Sequence, residues 1–316
     1  MVILTVALDV TLDVYYMVDN FALGSATQVS DVVERAGGPG IDVARVLTSL
    51  GEPTLVVGAE GGVVGAAVTQ DLRALGIEHV MIPTSGQTRR RLLVSERSSG
   101  IATMLDEVGP SSTDPTRRQL EQVVMDQLPQ ASVLVLAGEP PAGLPWSVWG
   151  KLTRSAQAAG VSVIWDSGGP ALLDRADAAP QIVKIKADQI MALTGDSDPV
   201  AGAYTLLEAG AESVVVSLGA LGMCMVSPEI ALIARPTSTI RGSTRGAGEA
   251  AVAALAIGLM EGFDWEQALV EAVALSAAAV AHPISGEFDR SVHSTMRDEI
   301  QVEEITEHRL PTALKA

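Results

Sequence analysis

Residues 240–252 read IRGSTRGAGEAAV, and their chemistry is concentrated in Gly246, Ala247, Gly248 and Glu249. Small residues lead straight into a run of alanines and aliphatics, the pattern of a glycine turn opening a buried helix. The first N–H groups of a helix lack partners inside it, and its dipole favours anions there. A carboxylate in that place is either a helix-stabilising charge or a base beside a phosphate, taking a proton from a substrate hydroxyl. GAGEAA also fits the relaxed dinucleotide fingerprint G-x-G-x-x-A, but that motif opens a βαβ unit, and too little chain follows here.

Three further stretches carry possible chemistry. AGGPGIDVARVLTSLG, Ala36–Gly51, places a glycine cluster before a helix whose apolar residues face a core. It is equally well an ordinary loop–helix junction or a close approach for a ligand. VVSLGALG, Val215–Gly222, ends a buried strand at Ser217 and turns through Gly219 and Gly222. Ligands in open α/β sheets lie beyond such strand ends, but taken alone a strand-to-strand turn is the stronger reading. Arg89-Arg90-Arg91 is a basic triplet, a solvated face or an anion site. His79, His282, His293 and His308 lack metal-ligand spacing, and neither G-x-S-x-G nor a Walker phosphate loop is present. No metal ligands are assigned.

The chain has 316 residues and a formal net charge of −17, which argues against nucleic acid or an anionic membrane as its main partner. A small anionic ligand remains compatible, because a few local cations suffice to hold it. The lone cysteine, Cys224, sits among apolar neighbours and reads as buried and structural. MVILTVALDV lacks the basic region and cleavage site of a signal peptide, and the longest apolar runs are too short to span a bilayer. These features predict a cytoplasmic protein.

The elements that must position these residues alternate between short aliphatic runs and helical segments, which predicts a mostly parallel sheet covered on both faces. Strands are expected at Ile3–Leu8, Thr54–Val57, Val133–Ala137, Ser162–Asp166, Ile182–Lys184 and Ser213–Ser217. Helices are expected at Gly40–Leu50, Gly65–Leu75, Thr116–Gln127, Trp146–Ala158 and Pro199–Leu207, with two more between Gly248 and Pro283. Near-alternating polarity at about 10–35 and 89–106 predicts extra strands in a smaller sheet to one side. The tail after Arg290 is charged and expected to be peripheral.

In series and at these distances, the motifs resemble the PfkB carbohydrate kinases of the ribokinase-like superfamily, nearest the 1-phosphofructokinase and tagatose-6-phosphate kinase branch. GGPGIDVARVLTSLG resembles the first family signature, VKIKADQIMALTG the nucleotide-side motif and STRGAGEAAVAALAIGLMEG the second signature. The resemblance implies one ribokinase-like domain over 1–316: a doubly wound α/β sheet with helices on both faces and a β-sheet lid. It implies a sugar site lined by Asp13, Gly38, Gly40 and Asp42, with Arg89 near a substrate phosphate. It also implies a nucleotide side at Lys186, Ser217, Gly219 and Gly222. Gly246, Ala247 and Gly248 would form the anion hole and Glu249 the base, with ATP and Mg²⁺ as cofactors and a sugar or sugar phosphate as acceptor. Lids in this family often pair, which implies a homodimer.

Several positions depart from the family pattern. Glu249 replaces its catalytic Asp, and one methylene moves the carboxylate by about 1 Å, a displacement that can cost roughly a hundredfold in rate. Pro39 and Asp42 replace a Lys and an Asn, Lys186 an Asn, and Gln189 a Glu. The acceptor end has lost positive charge, so the sequence predicts a neutral acceptor in preference to a phosphorylated one. The same departures keep open a second class of function, a catalytically impaired sugar- or nucleotide-binding relative acting as sensor or partner subunit.

Overall fold

A computed structural model describes residues 1–98, 101–173 and 179–310. The chain opens with β1 (Val2–Ala7), then β2 (Thr11–Val18), β3 (Asp31–Gly37), α1 (Pro39–Leu50), β4 (Thr54–Glu60), α2 (Gly62–Ala74) and β5 (Glu78–Pro83). There follow β6 (Arg89–Glu96), β7 (Ala102–Asp106), α3 (Asp114–Gln127), β8 (Ala131–Ala137), α4 (Ser147–Ala158), β9 (Ser162–Asp166) and β10 (Ile182–Lys186). After α5 (Ala187–Thr194), α6 (Pro199–Ala209), β11 (Val214–Ser217), β12 (Met223–Val226) and β13 (Ala231–Pro236) come α7 (Ala247–Glu261), α8 (Trp265–Val280), α9 (Arg290–Glu299) and β14 (Ile300–Glu304).

Among the described residues a ten-stranded sheet runs in the order β14-β13-β12-β11-β10-β9-β8-β1-β4-β5. It is parallel from β5 to β11 and antiparallel at its far edge. Strand alternation builds a core on each face. Leu4, Val6, Leu134 and Leu136 pack with α3, α4 and α6, while Ile3, Val133 and Val135 pack with α1, α7 and α8. Helix α7 has no polar face to expose, because Ala250–Ala256 are all buried. Chain order reverses beside β1, whose neighbours are β4 and β8, and that switch point is where α/β sheets leave a crevice at their carboxyl ends.

The four-stranded sheet β3-β2-β6-β7 arises from the two regions of alternating polarity. Two expectations need correction. Strands β5, β12, β13 and β14 were not expected individually; β5 is a half-exposed edge strand ending in Pro83, and β12 has four residues, so the apolar signal is short in each. The tail is not peripheral. β14 extends the large sheet, Met296 is buried on α9, and the Leu310 N–H donates to Asp198, the cap of α6. Residues 311–316, which the expected single domain includes, lie outside the described residues.

Candidate active site

A cleft of about 330 Å³ lies beyond the carboxyl ends of β8, β9 and β10, between the starts of α1 and α7, with Arg91 and Met104 of the small sheet on its wall. Helix α1 contributes Pro39 and Asp42, the loop after β8 contributes Glu139, and Asp166 ends β9.

At the start of α7, Gly246 takes a left-handed φ of 78°, and its carbonyl accepts the Ala250 N–H at 2.9 Å. A Cβ at Gly248 would lie 2.6 Å from Lys184 Nζ, so the absence of a side chain there makes room for an ammonium group. Lys184 is buried and pairs with Asp166 at 3.0 Å. Burial pulls the Lys184 pKa down, but Asp166 and Glu249 outweigh it and hold the group above its ordinary value. Gly246, Gly248 and Glu249 all line the cleft, so a fixed cation, a helix start and a carboxylate meet there.

The start of α1 is built differently. A Cβ at Gly38 would lie 2.1 Å from the Asp9 carbonyl oxygen, and one at Gly40 2.9 Å from the Ala7 Cα. Close packing therefore accounts for both glycines, and the cleft wall is made by Pro39 and Asp42 instead. Asp42 is buried and accepts the Ser285 hydroxyl at 2.6 Å. Burial, then the charges of Asp13 and Glu249, push its pKa up to about 7 against the opposing effects of Ser285 and Arg45. Burial and the neighbouring carboxylates thus oppose the negative charge expected from replacing Asn by Asp.

On the small-sheet side Asp13 is 1% exposed and accepts from Thr11 Oγ1 at 2.6 Å. Two guanidinium groups converge on it, Arg245 at 3.4 Å and Arg91 at 3.8 Å. Arg89, expected near a substrate phosphate, points elsewhere: it binds Asp9 at 2.9 Å and Asp106, and lines a separate cavity of about 60 Å³. Arg91, two positions on and on the same side of the strand, shares Asp9 and Asp106 with Arg89 but also reaches Asp13 and lines the cleft.

Of the residues expected on the nucleotide side, Lys186 lines the cleft, while Ser217, Gly219 and Gly222 do not. They form the turn from β11 to antiparallel β12, and a Cβ at Gly222 would lie 2.0 Å from the Ala234 carbonyl oxygen. Gln189 Oε1 accepts the Lys186 N–H at 3.4 Å. The sequence reading gave no role to Lys184 or Arg245, and it took Arg91 only as part of a basic triplet that could form an anion site. Lys184 stood within a quoted motif, and its burial beside Asp166 is visible only in three dimensions.

Among the described residues no group of three or more His, Cys, Asp and Glu is placed to hold a metal ion. None of their helices is long and apolar enough to cross a membrane.

The family model for "pfkB family carbohydrate kinase" matches residues 4–288. A 1-phosphofructokinase of Xanthomonas campestris is 32% identical over 82% of this chain and 84% of its own. A tagatose-6-phosphate kinase of Staphylococcus epidermidis is 25% identical over 96% of this chain and the whole of its own. The crystal structure of phosphofructokinase-2 from Escherichia coli in complex with fructose-6-phosphate superposes with a TM-score of 0.84 at 26% identity, covering 94% of this chain and 98% of that one. The chain belongs to the pfkB family of carbohydrate kinases.

Proposed function

For this carbohydrate kinase we propose that Glu249 is the base, that the start of α7 is the anion hole, and that ATP is the phosphoryl donor. The observation that carries the reading is the meeting of the Gly246–Gly248 turn, the buried Lys184 and Glu249 on one cleft wall. The acceptor hydroxyl oxygen would form a bond to the γ-phosphorus as the bond to the β-phosphate bridging oxygen breaks. The hydroxyl proton passes to a Glu249 carboxylate oxygen, and ADP leaves. The N–H groups at the helix start and Lys184 face the charge that develops on the transferring group, where preorganised donors act most strongly.

The residues present fit a nucleotide with its metal. Mg²⁺ needs only one or two carboxylates when phosphates supply its other ligands, and Asp166 and Glu139 face the cleft, with Lys186 beside them. When bound, the ion supplies neutralisation of phosphate charge. The Gln189-to-Lys186 hydrogen bond and the Lys186 side chain occupy positions where the family has other residues, which favours a donor site held by cations over one held by a water network.

The acceptor is a sugar or sugar phosphate between the two sheets, in keeping with the names of the related kinases. The small sheet would act as a lid on the single domain and as the surface for a second copy, because every residue of β7 is exposed and Val32, Leu105 and Val108 present apolar area there. The single buried Cys224, its thiol pushed up to about 12, is compatible with a cytoplasmic setting.

The test is ATP consumption over a panel of sugars and sugar phosphates with wild type, Glu249→Gln and Glu249→Asp. Turnover that falls about 10²- to 10⁴-fold in Glu249→Gln, with melting temperature held, supports the assignment. Equal turnover in all three proteins overturns it.

A further inference from the structure

The guanidinium of Arg245 crosses the cleft. It stands on the turn just before α7, yet its Nη2 lies 3.4 Å from Asp13 on β2 and its Nη1 3.0 Å from the Met104 sulfur on β7. Asp13 is simultaneously approached by Arg91, whose other contacts are Asp9 at 3.9 Å and Asp106 at 3.5 Å. The Arg245 Nε is buried with no hydrogen-bond partner among the described residues, and the Arg91 Nε, also buried, has only the Asp106 carboxylate 3.5 Å away. A buried donor left unpaired is costly, and a planar guanidinium binds best to a group presenting two or more anionic oxygens. Thr11 already donates to one oxygen of Asp13, so that carboxylate does not exhaust the donors around it.

We infer that Arg245, with Arg91, reads an anionic group on the acceptor, so that Arg245 determines specificity for a phosphorylated over a neutral sugar. The inference rests on the kinase site proposed above. It reverses the preference expected from Pro39 and Asp42: the cation missing from the start of α1 is supplied from the opposite wall. A neutral sugar meets an Asp13 already engaged by guanidinium groups. A phosphosugar brings oxygens that both arginines can share, and releases Asp13 to accept a sugar hydroxyl. Arg245 is here a binding residue for the acceptor, not a participant in phosphoryl transfer.

The experiment measures calorimetric Kd values for fructose 1-phosphate, fructose 6-phosphate, tagatose 6-phosphate, fructose and tagatose with wild type, Arg245→Gln and Arg245→Lys. Circular dichroism melts check that each variant folds. The expected result is that wild type binds at least one phosphosugar more tightly than its parent sugar. In Arg245→Gln that ratio falls about 10- to 100-fold, and Arg245→Lys, which keeps the charge but not the fork, lies between. Steady-state kinetics should show the loss mainly in KM. An unchanged ratio, an equal loss for both acceptor types, or no binding of any phosphosugar by wild type overturns the inference. Turnover of neutral sugars in that last case would leave the kinase site standing. Phosphosugar binding that depends on Arg245 without turnover would instead sink the catalytic assignment and keep this one.

Discussion

Two helix starts face each other across the cleft, and they solve opposite problems. Helix α1 begins with Pro39, which has no N–H to offer, and carries Asp42 in its first turn. Helix α7 begins with Gly246, Ala247 and Gly248, and its close approach is occupied by the Lys184 ammonium. Both carry an acid in the first turn that lines the cleft, but Asp42 is buried with its pKa pushed up to about 7, whereas Glu249 stands near the Lys184 ammonium. A glycine-rich helix start is therefore not an anion site by composition. What distinguishes the two is Pro39, which removes an N–H from the start of α1, and the Lys184 ammonium lying against Gly248 at the start of α7.

The contrast is broken most severely by Lys184→Met. Asp166 loses its buried partner and α7 its cation, so unfolding free energy from urea titration should drop by about 3–5 kcal/mol. A loss under 1 kcal/mol would mean that the pair contributes little to holding this wall.

Asp42→Asn sharpens the other side. Burial and the neighbouring carboxylates raise the folded pKa of Asp42 from the ordinary carboxylate value of 3.8 to about 7. Its proton-linked stability is therefore fully present below about pH 4 and lost as pH rises through 7. The Asn variant should exceed wild type by about 1–4 kcal/mol at pH 8, a gap that narrows at pH 5 and closes near pH 4. A gap independent of pH, read from melts in matched buffers, would show that Asp42 is ionised throughout.

Gly248→Ala is the mildest test. The new methyl displaces the flexible end of Lys184, so stability should stay within about 1 kcal/mol while kcat falls about tenfold. Unaltered kcat would detach Lys184 from the reacting centre.

Much of the large sheet was legible because strands buried on both faces read as aliphatic runs, as in Val133–Ala137 and Ser162–Asp166. The two helix starts were legible from glycine placement alone. The difference between them was not, because it depends on Lys184, 64 positions before Gly248 in the numbering and on another strand. Arg245 was hidden for the same reason: its partner Asp13 is 232 residues away. The choice between Arg89 and Arg91 turned on strand register against β2, with Arg91 opposite Asp13, which no count of charges gives. Antiparallel β12–β14 were missed because β12 has only four residues and the edge strand β14 is charged, and Gly219 and Gly222 lie in the turn that joins β11 to β12.

The position of β1 has a consequence for how the chain is made. It is synthesised before both of its neighbours, yet it lies within the sheet, with Ile3 paired to Thr54 on one side and to Val133 on the other. During translation its apolar edges wait for partners that emerge about 50 and 130 residues later, at an order of 5–20 residues per second. Until Ala137 has left the ribosome, one edge of a continuous aliphatic strand remains an open template for pairing with other chains. Long-range parallel pairing of this kind folds slowly, so yield in expression should depend on chaperone supply during that interval more than on the stability of the finished protein.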